Sequence, residues 1–408
     1  MSSSDAGFSV TTSAPGKVIL FGEHSVVYDK PAVAAAINLR TTVTASLSPS
    51  SEEGILSVDL PDISVSRTWD IPTLTSFMAT HGAALGLPPS LSPPPVTQEI
   101  MDAIASSLCN PDDHAAMTAF LFVVLPLLFP SPAPDAPSSS SHITFHAVSE
   151  LPIGAGLGSS AAFSVALASA ALRIAPAASS LAWVADQDSG EDSKEEDEHT
   201  LRVVNEWAFA AETVIHGTPS GIDNTIATYG KAVRYQSKVS SPVSLPELSL
   251  VLVDTRVPRS TKALVAGVRS KRDALPGVMD PVLDAMGALA DAAVDVLQDG
   301  GSYAPLSTLI ETNQALLAAI GVSHPALAAV VAIANTEGPF PAKLTGAGGG
   351  GCAIILLPPD VPDSSVDSLS AALSASPFHE SDLPRVFRTS IGARGVSISS
   401  KAPLSTNQ

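Results

Sequence analysis

The sequence predicts an α+β protein with room for two domains, and three observations carry that expectation. The chain has 408 residues of which 45% are apolar, enough for two well-developed cores and against wholesale disorder. Residues 142–173 read as strand, glycine loop and helix in succession. From the apolar strand Leu248–Asp254 onward a second series of helices and strands begins. The boundary is therefore expected at 247/248, with a first domain of residues 1–247 and a second of 248–408.

In chain order, Phe8–Leu20 has strand-like ends around Ala14-Pro15-Gly16-Lys17, read as a tight turn, and Val18–Phe21 is apolar enough for a central strand. Pro31–Ile37 is short and apolar, which predicts a short helix; Arg40–Leu47 alternates as a strand. The Pro- and Ser-rich stretches 88–95 and 130–141 read as surface loops. Between them Ala115–Phe129 is too short for an ordinary membrane span and carries Pro126, so a buried helix is expected. His142–Ser149 alternates as a strand, and Ser160–Arg173 supplies a helix of small residues. Asp186–Glu198, with eight acidic residues and one lysine, predicts a mobile, solvent-facing loop. Thr200–His216 has helical spacing, with Val203, Trp207, Ala210 and Val214 on one face, and 216–224 ends it in a compact turn. Helices are expected at Ala263–Arg272, Pro281–Leu297, Leu306–Ile320 and Pro325–Asn335. A glycine-rich turn then enters the strand Cys352–Leu357, and Val386–Ser399 reads as a final strand pair around Gly392–Gly395.

The formal charge of −19 and pI near 4.7 argue against nonspecific nucleic-acid binding, which needs concentrated Lys and Arg. Much of that charge sits in the acidic run, so it says little about a small anionic ligand held by local groups. Cys109 and Cys352 are the two cysteines and give neither a disulfide framework nor a cysteine-rich metal site. The first residues, MSSSDAGFSV, carry neither a basic segment nor an apolar core. A cytoplasmic protein without membrane insertion is the expectation.

Chemistry concentrates in a few segments. In LPIGAGLGSSAA, Gly154, Gly156 and Gly158 alternate and run into Ser159 and Ser160. Such a run can turn backbone N–H groups toward an anion and open a helix on it; the plain alternative is a tight strand-to-helix turn. It carries no Walker lysine and lacks the dinucleotide fingerprint. SAPGKVILFGEH sets Lys17 after Gly16 and Glu23-His24 after Gly22, ionisable groups flanking an apolar strand. Glu212 and His216 lie one helical turn apart, and Asp223 follows Gly221 where a carboxylate can enter a cleft or simply cap its own turn. A metal-binding Glu and a base Asp would together meet the needs of phosphoryl transfer to an alcohol. The glycines of Thr345–Cys352 imply positive φ or close approach before a buried strand. In DTRVPRSTK, Arg256, Arg259 and Lys262 fit either an anionic ligand or an ordinary solvated loop, and Cys352 is most simply a packed thiol.

Together these segments resemble the motif set of the GHMP small-molecule kinases: SAPGKVILFGEHSVVY, LPIGAGLGSSAA and KLTGAGGGG, in that order from Ser13 to Gly351, with TSIGARGVS at Thr389–Ser397. GTPSGIDN and DTRVPRST are similar to the members that act on mevalonate; Ser25 stands where the family often has Ala. The resemblance implies a two-domain GHMP kinase fold, with an N-terminal α/β domain of ribosomal-S5-like type and a C-terminal ferredoxin-like domain. It implies ATP and Mg2+ in the cleft between them, and phosphorylation of the C5 hydroxyl of mevalonate. By motif position Gly154, Ala155, Gly156, Leu157, Gly158, Ser159 and Ser160 would form the ATP-phosphate loop, and Ser160 and Glu212 would meet magnesium. Asp223 would take or orient the hydroxyl proton, and Lys17 would pair with it and offset charge on the transferring group. Glu23, His24 and Thr261 would belong to the substrate side, and Gly346, Ala347, Gly348, Gly349 and Gly350 would face the site from the second domain. Small-molecule substrate, no nucleic acid, no membrane insertion and a homodimer are all compatible with it. Kinases of the same family for phosphomevalonate, galactose or homoserine, and a catalytically inactive nucleotide-binding sensor, are the alternatives.

Overall fold

The structure, a computed structural model, describes residues 7–50, 52–85, 91–110, 112–113, 115–130, 141–179, 181, 193–376 and 382–401. Two long strands frame it. β1 (Phe8–Phe21) and β2 (Ala32–Pro49) pair antiparallel from Phe8↔Leu47 to Phe21↔Val33, with register shifts at Pro15/Gly16 and Ile19/Phe21. The expected turn at Ala14–Lys17 is thus an irregularity inside one continuous strand, where a proline without an N–H and a glycine interrupt the ladder but do not end it. The helix expected at Pro31–Ile37 is the start of β2. Val33, Ala35 and Ile37 enter one hydrophobic cluster while Ala34 and Ala36 enter another, so both faces are buried and no polar face marks the period.

The chain continues through β3 (Ile55–Leu60), β4 (Val65–Asp70), α1 (Ile71–Leu85), α2 (Gln98–Leu108) and α3 (Ala115–Leu128). The last is buried from Ala119 onward, Pro126 included, and packs against the helices Ser159–Ile174 and Ser193–His216 described next as well as against α1 and α2. No helix among the described residues is long and apolar enough to cross a membrane. Next come β5 (Ser141–Ser149), α4 (Ser159–Ile174), α5 (Ser193–His216) and α6 (Ile222–Tyr229). The acidic run read as a loop lies outside the described residues up to 192; from Ser193 it is already helix α5. Of the two loops read as surface, 88–90 and 131–140 lie outside the described residues, whereas Leu91 is buried and its carbonyl accepts from Trp207 Nε1 at 2.7 Å.

β6 (Ala232–Gln236) and β7 (Val239–Val243) form a hairpin on the edge of β2, and β8 (Leu248–Asp254) opens the second half. Four helices follow: α7 (Thr261–Ala274), α8 (Pro276–Gln298), α9 (Tyr303–Ala319) and α10 (Pro325–Glu337). β9 (Ala342–Leu344), β10 (Cys352–Leu356), α11 (Asp363–Ser374), β11 (Arg385–Ile391) and β12 (Ser397–Lys401) complete the order. Among the described residues all twelve strands join one sheet, β4-β3-β5-β2-β11-β8-β10-β9, with β1 against β2 and β12, and β6-β7 beside β2. Among the described pairings only β3–β5 is parallel.

β8 and β10 divide two cores between their faces. Leu250, Leu252, Ile354 and Leu356 join the larger cluster, and Val251, Val253, Ala353 and Ile355 the smaller one. Period-two alternation between two apolar layers explains why both strands read as unbroken apolar runs. The last two strands do not pair with each other: β11 lies on β8, and β12 crosses to β1. Arg40 fixes that crossing. Its guanidinium donates to Ser13 Oγ at 2.9 Å and Ser13 O at 2.7 Å, and to Arg394 O at 3.0 Å and Gly395 O at 2.7 Å.

Arg40→Ala leaves those carbonyls without their donor and should cost about 3 kcal/mol. A urea titration should show a lower midpoint at unchanged slope, and Arg40→Lys, without the planar fork, should recover less than half of the loss.

Candidate active site

Leu151–Ser160 carries the chain from β5 into α4, and the three alternating glycines are the reason it can turn as it does. Gly154, Gly156 and Gly158 sit at φ of 72°, 76° and 74°, a left-handed backbone that strains any L side chain. Left-handed glycines alternating with other residues bring successive N–H groups onto one concave side, the geometry of an anion nest. Gly158 is also the N-cap of α4, with no side chain occupying the free N–H groups of the first turn. Ala155 and Leu157 point inward and are buried, anchoring the loop from below.

Lys17 lies directly beneath it. Its N–H donates to Leu157 O at 2.8 Å, and its stem runs so close to Gly158 that a Cβ there would sit 3.0 Å from Lys17 Cγ. The ammonium reaches Asp223 Oδ1 at 3.3 Å; the side chains are 13% and 35% exposed. Asp223 is not in the turn read from sequence but in the first turn of α6, whose N-cap is Gly221 at φ 81°. Two helix N-termini, of α4 and α6, therefore meet at one ammonium, a concentration of positive potential suited to phosphate.

Glu212 projects from α5 into the same region with its side chain 5% exposed. Ser160 Oγ donates to its Oε2 and Ser164 Oγ to its Oε1, both at 3.3 Å, and His216 Nε2 lies 3.0 Å from Ser160 Oγ. Burial, aided by the Asp223 charge and opposed by the serine hydroxyls and Lys17, pushes the Glu212 carboxyl up to about 7. A buried carboxylate short of compensating charge, next to a hydroxyl, is a hard oxygen donor set that fits Mg2+. Among the described residues no group of three or more His, Cys, Asp or Glu is placed to hold a metal ion by itself.

From the other side, alternate residues of one segment hold the far end of β1. Thr345 Oγ1 donates to Ile19 O at 2.9 Å and accepts from Ile19 N at 3.1 Å, and His24 Nε2 lies 2.8 Å from Ala347 O. Gly346, Gly348, Gly349 and Gly350 all take positive φ, which lets the loop turn back toward the cleft. Glu23 is buried, bound by the Lys343 ammonium on one oxygen and by Asn313 Nδ2 at 3.1 Å on the other. Lys343 is fully buried, and burial lowers its pKa against the opposing pull of Glu23.

Of the three basic residues after β8, the structure brings in one. Arg259 donates to Ala155 O in the phosphate loop, and its guanidinium covers Gly156 and Gly351, so it bridges the two glycine loops. Arg256 faces Asp382 at 3.9 Å, and Lys262 is exposed. Thr261 stands exposed at the start of α7, with no hydrogen bond to Lys17 or Asp223 among the described residues. Cys352 is fully buried, with its thiol pushed up to about 12 by burial and then by Asp254. An apolar cavity of about 180 Å³ opens beside Ser159 and Ser160, lined by Ile63, Val148, Ile153, Phe163 and Ile215.

The sequence reading missed Ser164, Asn313 and Lys343. Two left a trace: Asn313 and Lys343 are lone polar residues at positions where the apolar pattern calls for core.

The model of the GHMP kinases N terminal domain matches residues 133–231, and that of the GHMP kinases C terminal matches 288–375. The chain is similar to mevalonate kinase of Bos taurus, 40% identical over 96% of this chain and 95% of that one. It is also similar to mevalonate kinase of Homo sapiens, at 39% over 96% and 95%, and of Arabidopsis thaliana, at 34% over 95% and 99%. Among solved structures, L. major mevalonate kinase in complex with R-mevalonate has a TM-score of 0.64 at 24% identity, covering 94% of this chain and 96% of that one. Lactococcus lactis galactokinase complexed with galactose gives 0.57 at 15%, covering 95% of each; both likenesses are of fold.

Because the Glu212 carboxyl rises from 4.5 to about 7 on folding, the folded chain holds that proton more tightly than the unfolded one. Its contribution favours folding below pH 4.5 and is lost as pH rises to about 7, a swing of about 3 kcal/mol at ~1.4 kcal/mol per unit. Glu212→Gln should remove the swing. In urea unfolding without metal, the variant should match the parent near pH 4.5 and exceed its stability at pH 8.

Proposed function

This chain belongs to the mevalonate kinase family of the GHMP kinases, and we propose that the residues gathered around Lys17 carry out the family reaction: transfer of the γ-phosphoryl group of ATP to the C5 hydroxyl of mevalonate, giving 5-phosphomevalonate and ADP. The observation that carries the assignment of roles is the Lys17–Asp223 pair at the meeting point of the α4 and α6 N-termini, with Ser160 and Glu212 alongside. We divide the chain after residue 247 into the two domains of the GHMP fold, with the cleft between the phosphate loop and the Gly346–Gly350 loop.

In this reading the N–H groups of Gly154–Ser160 hold the phosphates, and the apolar cavity beside Ser159 receives the base. Magnesium, when bound, supplies the charge that neutralises the phosphate oxygens, and Ser160 and Glu212 would hold it. Lys17 offsets negative charge on the transferring group. Asp223 accepts the hydroxyl hydrogen bond of mevalonate and takes its proton late, as the new P–O bond forms and the bond to the β-phosphate oxygen breaks. A carboxylate about one-third exposed suffices because a loose transition state demands little nucleophile ionisation beforehand. His24 and Thr261 belong to the substrate side. Glu23 acts there at one remove, since both of its oxygens are engaged by Lys343 and Asn313.

Coupled ADP release across mevalonate, phosphomevalonate, galactose and homoserine tests the substrate, with turnover expected for mevalonate alone. Asp223→Asn should lower kcat by about 10²–10⁴-fold with nucleotide affinity nearly unchanged. Near-normal turnover by that variant would sink the role given to Asp223.

A further inference from the structure

We propose that Lys343 is a positioning residue of this enzyme: its buried ion pair with Glu23, braced by Asn313, holds a strained turn that presents His24 to the alcohol side of the site. The role rests on the functional reading above, because it acts through His24.

Glu23, His24 and Ser25 form a γ-turn. His24 has φ 61° and ψ −43°, and Ser25 N–H donates to Glu23 O at 2.7 Å. This hand of γ-turn is rare and strained, and a β-carbon-bearing residue keeps it only when its surroundings over-determine it. Here they do. The segment after α10 touches the end of β1 through alternate residues, Lys343 to Glu23, Thr345 to Ile19 and Ala347 to the His24 ring. Lys343 lies in β9, and Thr345 and Ala347 lie in the loop that turns at Gly346, so a single stretch of chain grips the end of β1 before the bend, at its first residue and at the bend itself.

The ion pair is the firmest of these grips. Both side chains are 0% exposed, and the Lys343 ammonium also donates to Leu344 O at 2.7 Å. With one partner gone, the other becomes an uncompensated buried charge, which the fold relieves by moving it toward water. Movement of Glu23 releases the turn at its first residue and turns the His24 ring away from Ala347. If Glu23 served the substrate by its own charge, its carboxylate would have to leave Lys343 and Asn313 in every cycle. The burial of all three groups argues against that.

The test compares Lys343→Met, Glu23→Gln, the double variant and Asn313→Ala in the full chain. Readouts are kcat, KM for mevalonate, KM for ATP and the thermal midpoint. Lys343→Met should raise KM for mevalonate about tenfold or more, with KM for ATP within about twofold of the parent. Asn313→Ala, which keeps the ion pair, should shift KM for mevalonate the same way by a smaller factor, and it carries the test if Lys343→Met does not fold. The double variant leaves no unpaired charge in the pocket, with Asn313 Nδ2 still placed to donate to the Gln carbonyl, and should recover most of the lost affinity for mevalonate. A double variant no better than Lys343→Met would mean that the Glu23 charge itself is needed, and would overturn the proposal. Variants that lose only thermal stability, with kcat and both KM values unchanged, would overturn it as well. A parent chain inactive on mevalonate would overturn the functional reading and this role together, whereas an active parent with unaffected variants removes this role alone.

Discussion

The antiparallel ladder between β1 and β2 is the constraint from which the site hangs. β1 carries Lys17 at its interruption and delivers Glu23 and His24 just beyond its end, so a single strand spans from the phosphate loop to the glycine loop of the second half. Its position is set on both edges, by β2 along most of its length and by β12 over Ser9–Ser13. A sheet strand held this way cannot shift by one residue without turning its buried side chains outward. The distance between the two loops is thereby built into the backbone before any ligand arrives.

The second half of the chain is joined to that strand by polar contacts rather than by a shared apolar face alone. Arg259 reaches the phosphate loop, Thr345 the far end of β1, Ala347 the His24 ring and Lys343 the Glu23 carboxylate. Hydrogen bonds have direction where apolar contact does not, so these links specify register between the two loops as well as proximity. β8 and β10 complete the coupling, since each faces both cores and neither core can repack without moving the strands that precede Arg259 and follow Gly351.

What the sequence made legible is what depends on near neighbours. The glycines of Thr345–Cys352 announced positive φ, and Gly346, Gly348, Gly349 and Gly350 take it; the spacing of Val203, Trp207 and Ala210 announced α5. Where the pattern failed, it lacked a period or a partner. Ala32–Ile37 has apolar residues on both faces, so nothing distinguishes a central strand from a short helix. Val386–Ser399 has the form of a hairpin, but its two strands find partners at opposite places in the sheet. Glu23 could be picked out as ionisable and beside an apolar strand, yet its meaning depends on Lys343, 320 residues away.

Three carboxylates of the same intrinsic chemistry are separated by their surroundings, and the separation follows the work proposed for each. Glu23 is buried with the Lys343 ammonium on one oxygen and the Asn313 amide on the other, so its charge is already engaged and it serves the backbone. Glu212 is buried almost as deeply with hydroxyls in place of a cation, so its charge is costly until a divalent ion supplies the balance, and its carboxyl stands near 7 without one. Asp223 keeps about a third of its surface in the cleft and shares Lys17 at 3.3 Å, close enough to be oriented and open enough to meet a hydroxyl. Exchanging any two of these environments would leave either a buried charge without a partner or a catalytic group sealed from its substrate. That is why the long-range partner of each acid, more than the acid itself, decides what the position can do.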